Sequence, residues 1–184
     1  MTAGSASVSR DSPPVFSNLL VWKDEIVPWM KRLVDDCHDA GAGVMMQLSH
    51  LGRRTRWDKG DWLPVISSTH EREPAHRAFP KPAEDWDIDR IIGDYVDAAE
   101  RMKEAGVDGI EFLCHGHLLD QFMSPLTNFL DGPYGGSLEN RARLTLDIVA
   151  AVRKRIGDRI ILGLRYGVDE MEPGGIDMEE GIAL

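Results

Sequence analysis

The sequence predicts a parallel α/β fold, and two observations carry that reading. Amphipathic helical patterns alternate with short apolar runs, and a glycine closes each helix a few residues before the run that follows. The stretches after the runs are long, whereas those from helix to run are short. That asymmetry is expected of a (β/α) barrel, whose ligand site is built from the loops that follow its strands.

The elements follow in order. Residues 1–23 begin rich in Ser and Pro and read as a loop-like lead-in, without the apolar centre of a signal peptide. Ile26, Trp29, Met30, Leu33, Val34 and Cys37 then recur at helical spacing, preceded by Asp24 and Glu25, where negative charge suits a helix N-terminus. Gly41 ends that helix, and 44–48 reads as a buried strand. Ile88, Ile91, Ile92, Tyr95, Ala98, Ala99 and Met102 mark a second helix, stopped by Gly106 and followed by a strand at 109–113. Ser137 is a good N-cap for a third helix that runs to Ile156, where Gly157 stops it ahead of a strand at 160–164. A further helix begins near Glu179-Glu180-Gly181.

A closed barrel needs eight strands in about 250 residues. Three predicted strands in 184 residues therefore describe a partial TIM (β/α)8 barrel. The expectation is one partial barrel domain over 1–184, an internal fragment lacking N-terminal and C-terminal barrel strands. An open three-stranded domain is the alternative.

Composition narrows the function. An apolar fraction of 42%, a charged fraction of 28% and a net charge of −10 describe an acidic globular chain. Nucleic acid and anionic membrane surfaces both require basic partners, so neither is expected. Cys37 and Cys114 form no disulfide framework and no paired metal-ligand spacing, which points to the cytoplasm. No phosphate-cradling glycine loop is present, since Gly174-Gly175 alone is too weak a signal.

The chemistry concentrates where strands should end. Gln47 and Arg165 are polar residues at the ends of apolar runs. A guanidinium there needs a partner, and Asp169 or Glu170 could supply one. His115 and His117, two apart, point the same way on extended backbone and precede a helix. Two imidazoles so spaced could also share a zinc ion, but a metalloenzyme needs further ligands, and an arginine beside a dication is repulsive. Trp57 and Trp62, with Asp58 and Asp61, could cage a methylated ammonium or form an ordinary surface hairpin.

Gln47-Leu48-Ser49-His50-Leu51-Gly52-Arg53, the run from His115 through Asn128 to Arg141, and Gly163-Leu164-Arg165-Tyr166-Gly167-Val168-Asp169 together resemble the old yellow enzyme family of FMN-dependent NADH:flavin oxidoreductases. Arg53-Arg54-Thr55 and His76-Arg77-Ala78-Phe79-Pro80-Lys81 look most like its multidomain branch of trimethylamine dehydrogenase, N-methyl amine demethylases and 2,4-dienoyl-CoA reductase. The resemblance implies an FMN-dependent oxidoreductase passing hydride at flavin N5. It places the strands third, fourth and fifth in the barrel. It assigns Gln47 to the polar edge of the flavin pyrimidine ring and Arg165 to the region of N1 and C2=O. There a fixed positive charge stabilises the reduced anion.

His115 and His117 then line the substrate side as catalytic residues. The family strand usually ends His-x-x-His-Gly-Tyr, but here Leu113-Cys114-His115-Gly116-His117 is one residue short, lacks the first His and carries His117 in place of Tyr. That departure weakens the two-donor grip on a substrate carbonyl. It favours oxidative demethylation of an N-methylated amine over NAD(P)H-dependent reduction of an activated alkene. Phe129-Leu130-Asp131-Gly132-Pro133 also departs from the family's Arg-Arg-Thr-Asp-Glu. An iron–sulfur cluster and a second dinucleotide site belong to the multidomain branch and are not encoded here. Expected partners are a small-molecule substrate with NAD(P)H or an electron-transfer protein. The fragment alone is expected to be inactive.

Overall fold

The computed structural model describes residues 1–12, 19–55, 63–75 and 77–184. Its elements are β1 (Thr2–Ser7), β2 (Leu19–Leu20), α1 (Ile26–Asp39), β3 (Met45–Ser49), β4 (Ile66–Ser67), β5 (Lys81–Pro82), α2 (Asp85–Glu104), β6 (Gly109–Cys114), α3 (Leu118–Met123), α4 (Leu138–Ile156), β7 (Ile161–Tyr166) and α5 (Met178–Ala183). A five-stranded sheet runs in the order β2-β1-β3-β6-β7, every pairing parallel, and β4 and β5 form a small parallel pair of their own.

The three expected strands are β3, β6 and β7, within one or two residues of their predicted limits. The lead-in is a correction. Residues 1–23 are not loop-like throughout, because Thr2–Ser7 lies inside the sheet between β2 and β3. Its sequence, TAGSAS, is built from small residues with no apolar alternation. It holds its place through pairing with Met45, Met46, Leu48 and Ser49, with an irregularity between Ala3 and Ala6.

Alternation along the strands gives the sheet two unlike faces. Met46, Leu48, Ile110 and Phe112 point to one side and are fully buried. There they join Met30 and Val34 of α1, Ile91, Tyr95 and Met102 of α2, and Leu144, Ile148 and Val152 of α4 in one core. Each such side chain contributes roughly 1.5–3 kcal/mol by leaving water. Tyr95 also meets the Phe112 ring edge-on at 5.9 Å. The opposite face carries Gln47, Ser49, Glu111, Leu113, Gly163 and Arg165.

The helix ends follow the sequence signals. Ser137 Oγ accepts from Asn140 N–H at the start of α4, and Glu84 with Asp87 forms a capping box at the start of α2. Gly157, at φ 81°, closes α4 in a conformation that L side chains rarely adopt. No helix among the described residues is long and apolar enough to cross a membrane.

Candidate functional site

The register of the sheet decides which side chains share a site. Gln47 pairs with Glu111, and Glu111 with Gly163, so these three lie side by side across β3, β6 and β7. Leu113 pairs with Arg165 one step closer to the carboxyl end, on the same face. Gln47 and Arg165 therefore open onto one surface, separated by the single strand β6, or about 10 Å at the usual strand spacing.

Gln47 Nε2 donates to Glu111 Oε1 at 2.6 Å. That bond orients the amide and leaves its carbonyl oxygen available as an acceptor. Arg165 is exposed. Neither carboxylate considered for it serves it: Asp169 Oδ1 accepts from Met171 N–H, and Glu170 Oε2 accepts from Ser124 Oγ and Ile176 N–H. Among the described residues the Arg165 guanidinium has no ion pair.

Both histidines stand at the same end of the sheet. His115 follows β6 and lies against Gly167, where an added Cβ would come within 3.2 Å of its Nδ1. His117 precedes α3 and sits 2.7 Å, Nδ1 to Oγ, from Ser49 at the end of β3. Burial, followed by the nearby Arg54 charge, pushes the His117 imidazole down to about 4, so it is neutral near pH 7.

The turn between them is fixed from two sides. Gly116 N–H donates to Asp120 Oδ2 at 2.7 Å. Burial pushes the Asp120 carboxyl up to about 6, despite that hydrogen bond. The Arg54 guanidinium lies on Gly116, where an added Cβ would come within 2.6 Å of Nη1. Gly116 also has φ 68°, so both space and backbone select glycine.

Beneath this turn a buried network joins the loops. His50 Nε2 pairs with Asp11 Oδ1 at 3.0 Å, while its Nδ1 accepts from Gly52 N–H. Arg90 reaches Asp11 Oδ2 at 2.5 Å. Gln121 Oε1 accepts from Arg53 N–H and Ser67 Oγ, and its Nε2 donates to the Leu51 carbonyl.

Of the four residues expected at the site, Arg165, His115 and His117 stand at or just beyond the carboxyl ends of β7 and β6, and Gln47 lies at the middle of β3. Ser49, Arg54, Glu111 and Asp120 join them without having been singled out. Glu111 left a signal, being the one charged residue inside an otherwise apolar run, and so did Asp120, an acid in the first turn after two histidines. Trp57, Asp58, Asp61 and Trp62 lie outside the described residues. Among the described residues no three His, Cys, Asp or Glu side chains are grouped to hold a metal ion.

Comparison with known proteins agrees with this architecture. The chain is 65% identical over 184 residues to a probable N-methylproline demethylase of Rhizobium meliloti (strain 1021), covering 100% of this chain and 27% of that protein. It is 42% identical over 179 residues to the N,N-dimethylglycine/sarcosine dehydrogenase of Chromohalobacter salexigens, covering 96% of this chain and 26% of that protein. It therefore spans about a quarter of the length of these relatives. A solved 2-naphthoyl-CoA reductase in complex with 2-naphthoyl-CoA matches 99% of this chain and 30% of its own, with TM-score 0.91 and 25% identity. The family model described as NADH:flavin oxidoreductase / NADH oxidase matches residues 1–184, and the chain belongs to that family.

Proposed function

We propose that this chain is part of an FMN-dependent oxidoreductase that oxidatively demethylates an N-methylated amine, of the kind named for its N-methylproline demethylase relative. The observation that carries the reading is the Arg165 guanidinium. It is exposed, has no ion pair among the described residues, and shares a face and register with an amide already oriented by Glu111.

These groups fit the flavin pyrimidine edge. That edge presents both donors and acceptors, which Gln47 can answer, and a region that gains negative charge on reduction, which Arg165 can answer. FMN, when bound, supplies the acceptor for a hydride. The substrate N–CH3 carbon loses that hydride as the nitrogen lone pair forms the C=N bond of an iminium. Water then adds to the iminium carbon, releasing the secondary amine and formaldehyde.

The chain's own part is orientation and charge. A neutral His117 adds no positive charge beside an alkylammonium arriving from solvent, and it offers a ring nitrogen for a hydrogen bond to the amine. Ser49 fixes the ring and Asp120 fixes the turn that carries it. Holding the amine in reacting geometry accounts for a large share of such a rate enhancement. Alkene reduction would need two donors converging on a carbonyl. His117, with one nitrogen engaged by Ser49, gives that chemistry less support.

The test uses the full-length FMN-loaded enzyme mixed anaerobically with N-methylproline. Bleaching of the flavin with one formaldehyde per flavin supports the reading. Bleaching by NADPH and reoxidation by an enone, with no response to the amine, would replace it with alkene reduction.

A further inference from the structure

The Arg54 guanidinium lies on the Gly116 turn, between the two histidines that the proposed reaction would use. Its position is fixed from both ends. Arg54 closes the single 3-10 turn Gly52–Arg54 that follows β3, and that turn is anchored by the Leu51 carbonyl and Arg53 N–H, which both bond the Gln121 side chain. Gly116 leaves the room that the guanidinium occupies. The charge is felt at the site, since it lowers the proton affinity of both His117 and Asp120.

What Arg54 lacks is a close partner. Its ion pair with Glu73 is long, 3.9 Å from Nε to Oε1, and the side chain remains about half-exposed. Neighbouring Arg53 differs, donating through Nη1 to the Glu71 carbonyl at 3.2 Å. A half-exposed guanidinium with its fork uncommitted beside a substrate turn is suited to bidentate capture of a carboxylate. Asp120 is no obstacle to such a ligand, because it is directed into its bond with Gly116 N–H.

We propose that Arg54 binds the carboxylate of the substrate, making the site selective for N-methylated amino acids over methylamines that lack a carboxylate. The inference rests on the proposed demethylation and deepens it by naming the substrate class. A single anchor of this kind would hold the acid end of the substrate at the β3 loop and swing its N-methyl group inward over the strand ends. There Gln47 and Arg165 face the same surface.

The test compares N-methylproline with N-methylpyrrolidine, which has the same ring and no carboxylate, on full-length FMN-loaded wild type, R54K and R54Q. The expected result for R54Q is a rise in KM for N-methylproline on the order of 100-fold, a change at least tenfold smaller for N-methylpyrrolidine, and partial rescue in R54K. Equal losses on both substrates, or no loss on either, would overturn the inference. Calorimetric binding of proline, the product, to the same proteins supplies a readout that does not need turnover. Tight binding to wild type that is lost in R54Q supports the carboxylate anchor, and equal binding overturns it. If wild type turns over neither amine, the demethylation reading fails, while the binding arm still decides the role of Arg54.

Discussion

Ser49 Oγ lies 2.7 Å from His117 Nδ1, a hydrogen bond that ties the end of β3 to the turn after β6. Two strands separated by a long excursion through β4, β5 and α2 are thereby locked together at the site. The bond also commits one imidazole nitrogen, Nδ1, and leaves Nε2 outside that bond.

The first prediction concerns that ring. Burial holds His117 at about 4, below the ordinary 6.5. The folded state therefore binds this proton less readily than the unfolded state does. Stability is complete above about pH 6.5 and is lost as pH falls toward 4, by a few kcal/mol at most. His117→Asn should remove that part of the acid-side decline. Thermal unfolding of the full-length protein from pH 7 to 4 checks it, and parallel curves for wild type and variant would contradict it.

Asp120 is predicted to act in the opposite sense. Burial raises its carboxyl from 3.8 to about 6, so the folded state prefers the protonated form. Its ionisation lowers stability as pH rises from about 4 through 6. Asp120→Asn keeps an acceptor for Gly116 N–H and abolishes the titration, so it should be more stable than wild type above pH 6. Any inflection near pH 6 in kcat/KM should vanish as well. Asp120→Ala also loses the hydrogen bond, at a cost of about 1–2 kcal/mol. An inflection near pH 6 that survives in Asp120→Asn would assign it elsewhere.

How much of this was legible in the sequence depends on the range of the interaction. The β3, β6 and β7 strands declared themselves because apolar runs followed glycine-terminated helices, and helix packing requires that pattern. Thr2–Ser7 did not, because its residues are small and its order comes from neighbours on both sides. Gln47 and Arg165 were visible as polar side chains ending apolar runs. Their relation to Glu111 and Leu113 came only from register, which sequence spacing does not supply. Ser49 to His117 and Arg54 to Gly116 are contacts between distant loops, and no local periodicity records them.

Arg165 yields the third prediction. Because Asp169 and Glu170 are engaged elsewhere, removing the guanidinium breaks no ion pair among the described residues. Arg165→Gln should therefore leave the unfolding midpoint nearly unchanged, within about 0.5 kcal/mol in stability. It should weaken FMN binding and shift the flavin midpoint potential to a more negative value, since the charge that favours the reduced anion is gone. Arg165→Lys should restore part of the potential. Potentiometric titration measures both, and an unshifted potential in Arg165→Gln would place the guanidinium outside the flavin's reach.

The last prediction separates scaffold from chemistry. His50 is fully buried, its Nδ1 accepts from Gly52 N–H, and its Nε2 faces Asp11, which Arg90 also holds. With Nδ1 accepting, it is Nε2 that donates to Asp11. Burial alone would raise the Asp11 carboxyl, but its pairing with His50, the Ser9 hydrogen bond and the Arg90 charge outweigh it and hold it well below the usual range. A depressed carboxyl contributes stability that is present above about pH 4 and lost as pH falls further. His50→Ala would take one of its partners from the buried Asp11 carboxylate and the acceptor from Gly52 N–H, costing about 2–3 kcal/mol. Asp11→Asn should flatten the decline below pH 4, because the neutral amide no longer titrates. Both effects belong to stability. Variants still folded at the assay temperature should keep their KM for the amine, because the network holds the loops after β1 and β3 together and the bond from Leu118 N–H to the His50 carbonyl, which ties it to α3, does not depend on the His50 side chain. A large KM change at unchanged stability would show instead that His50 contacts the substrate.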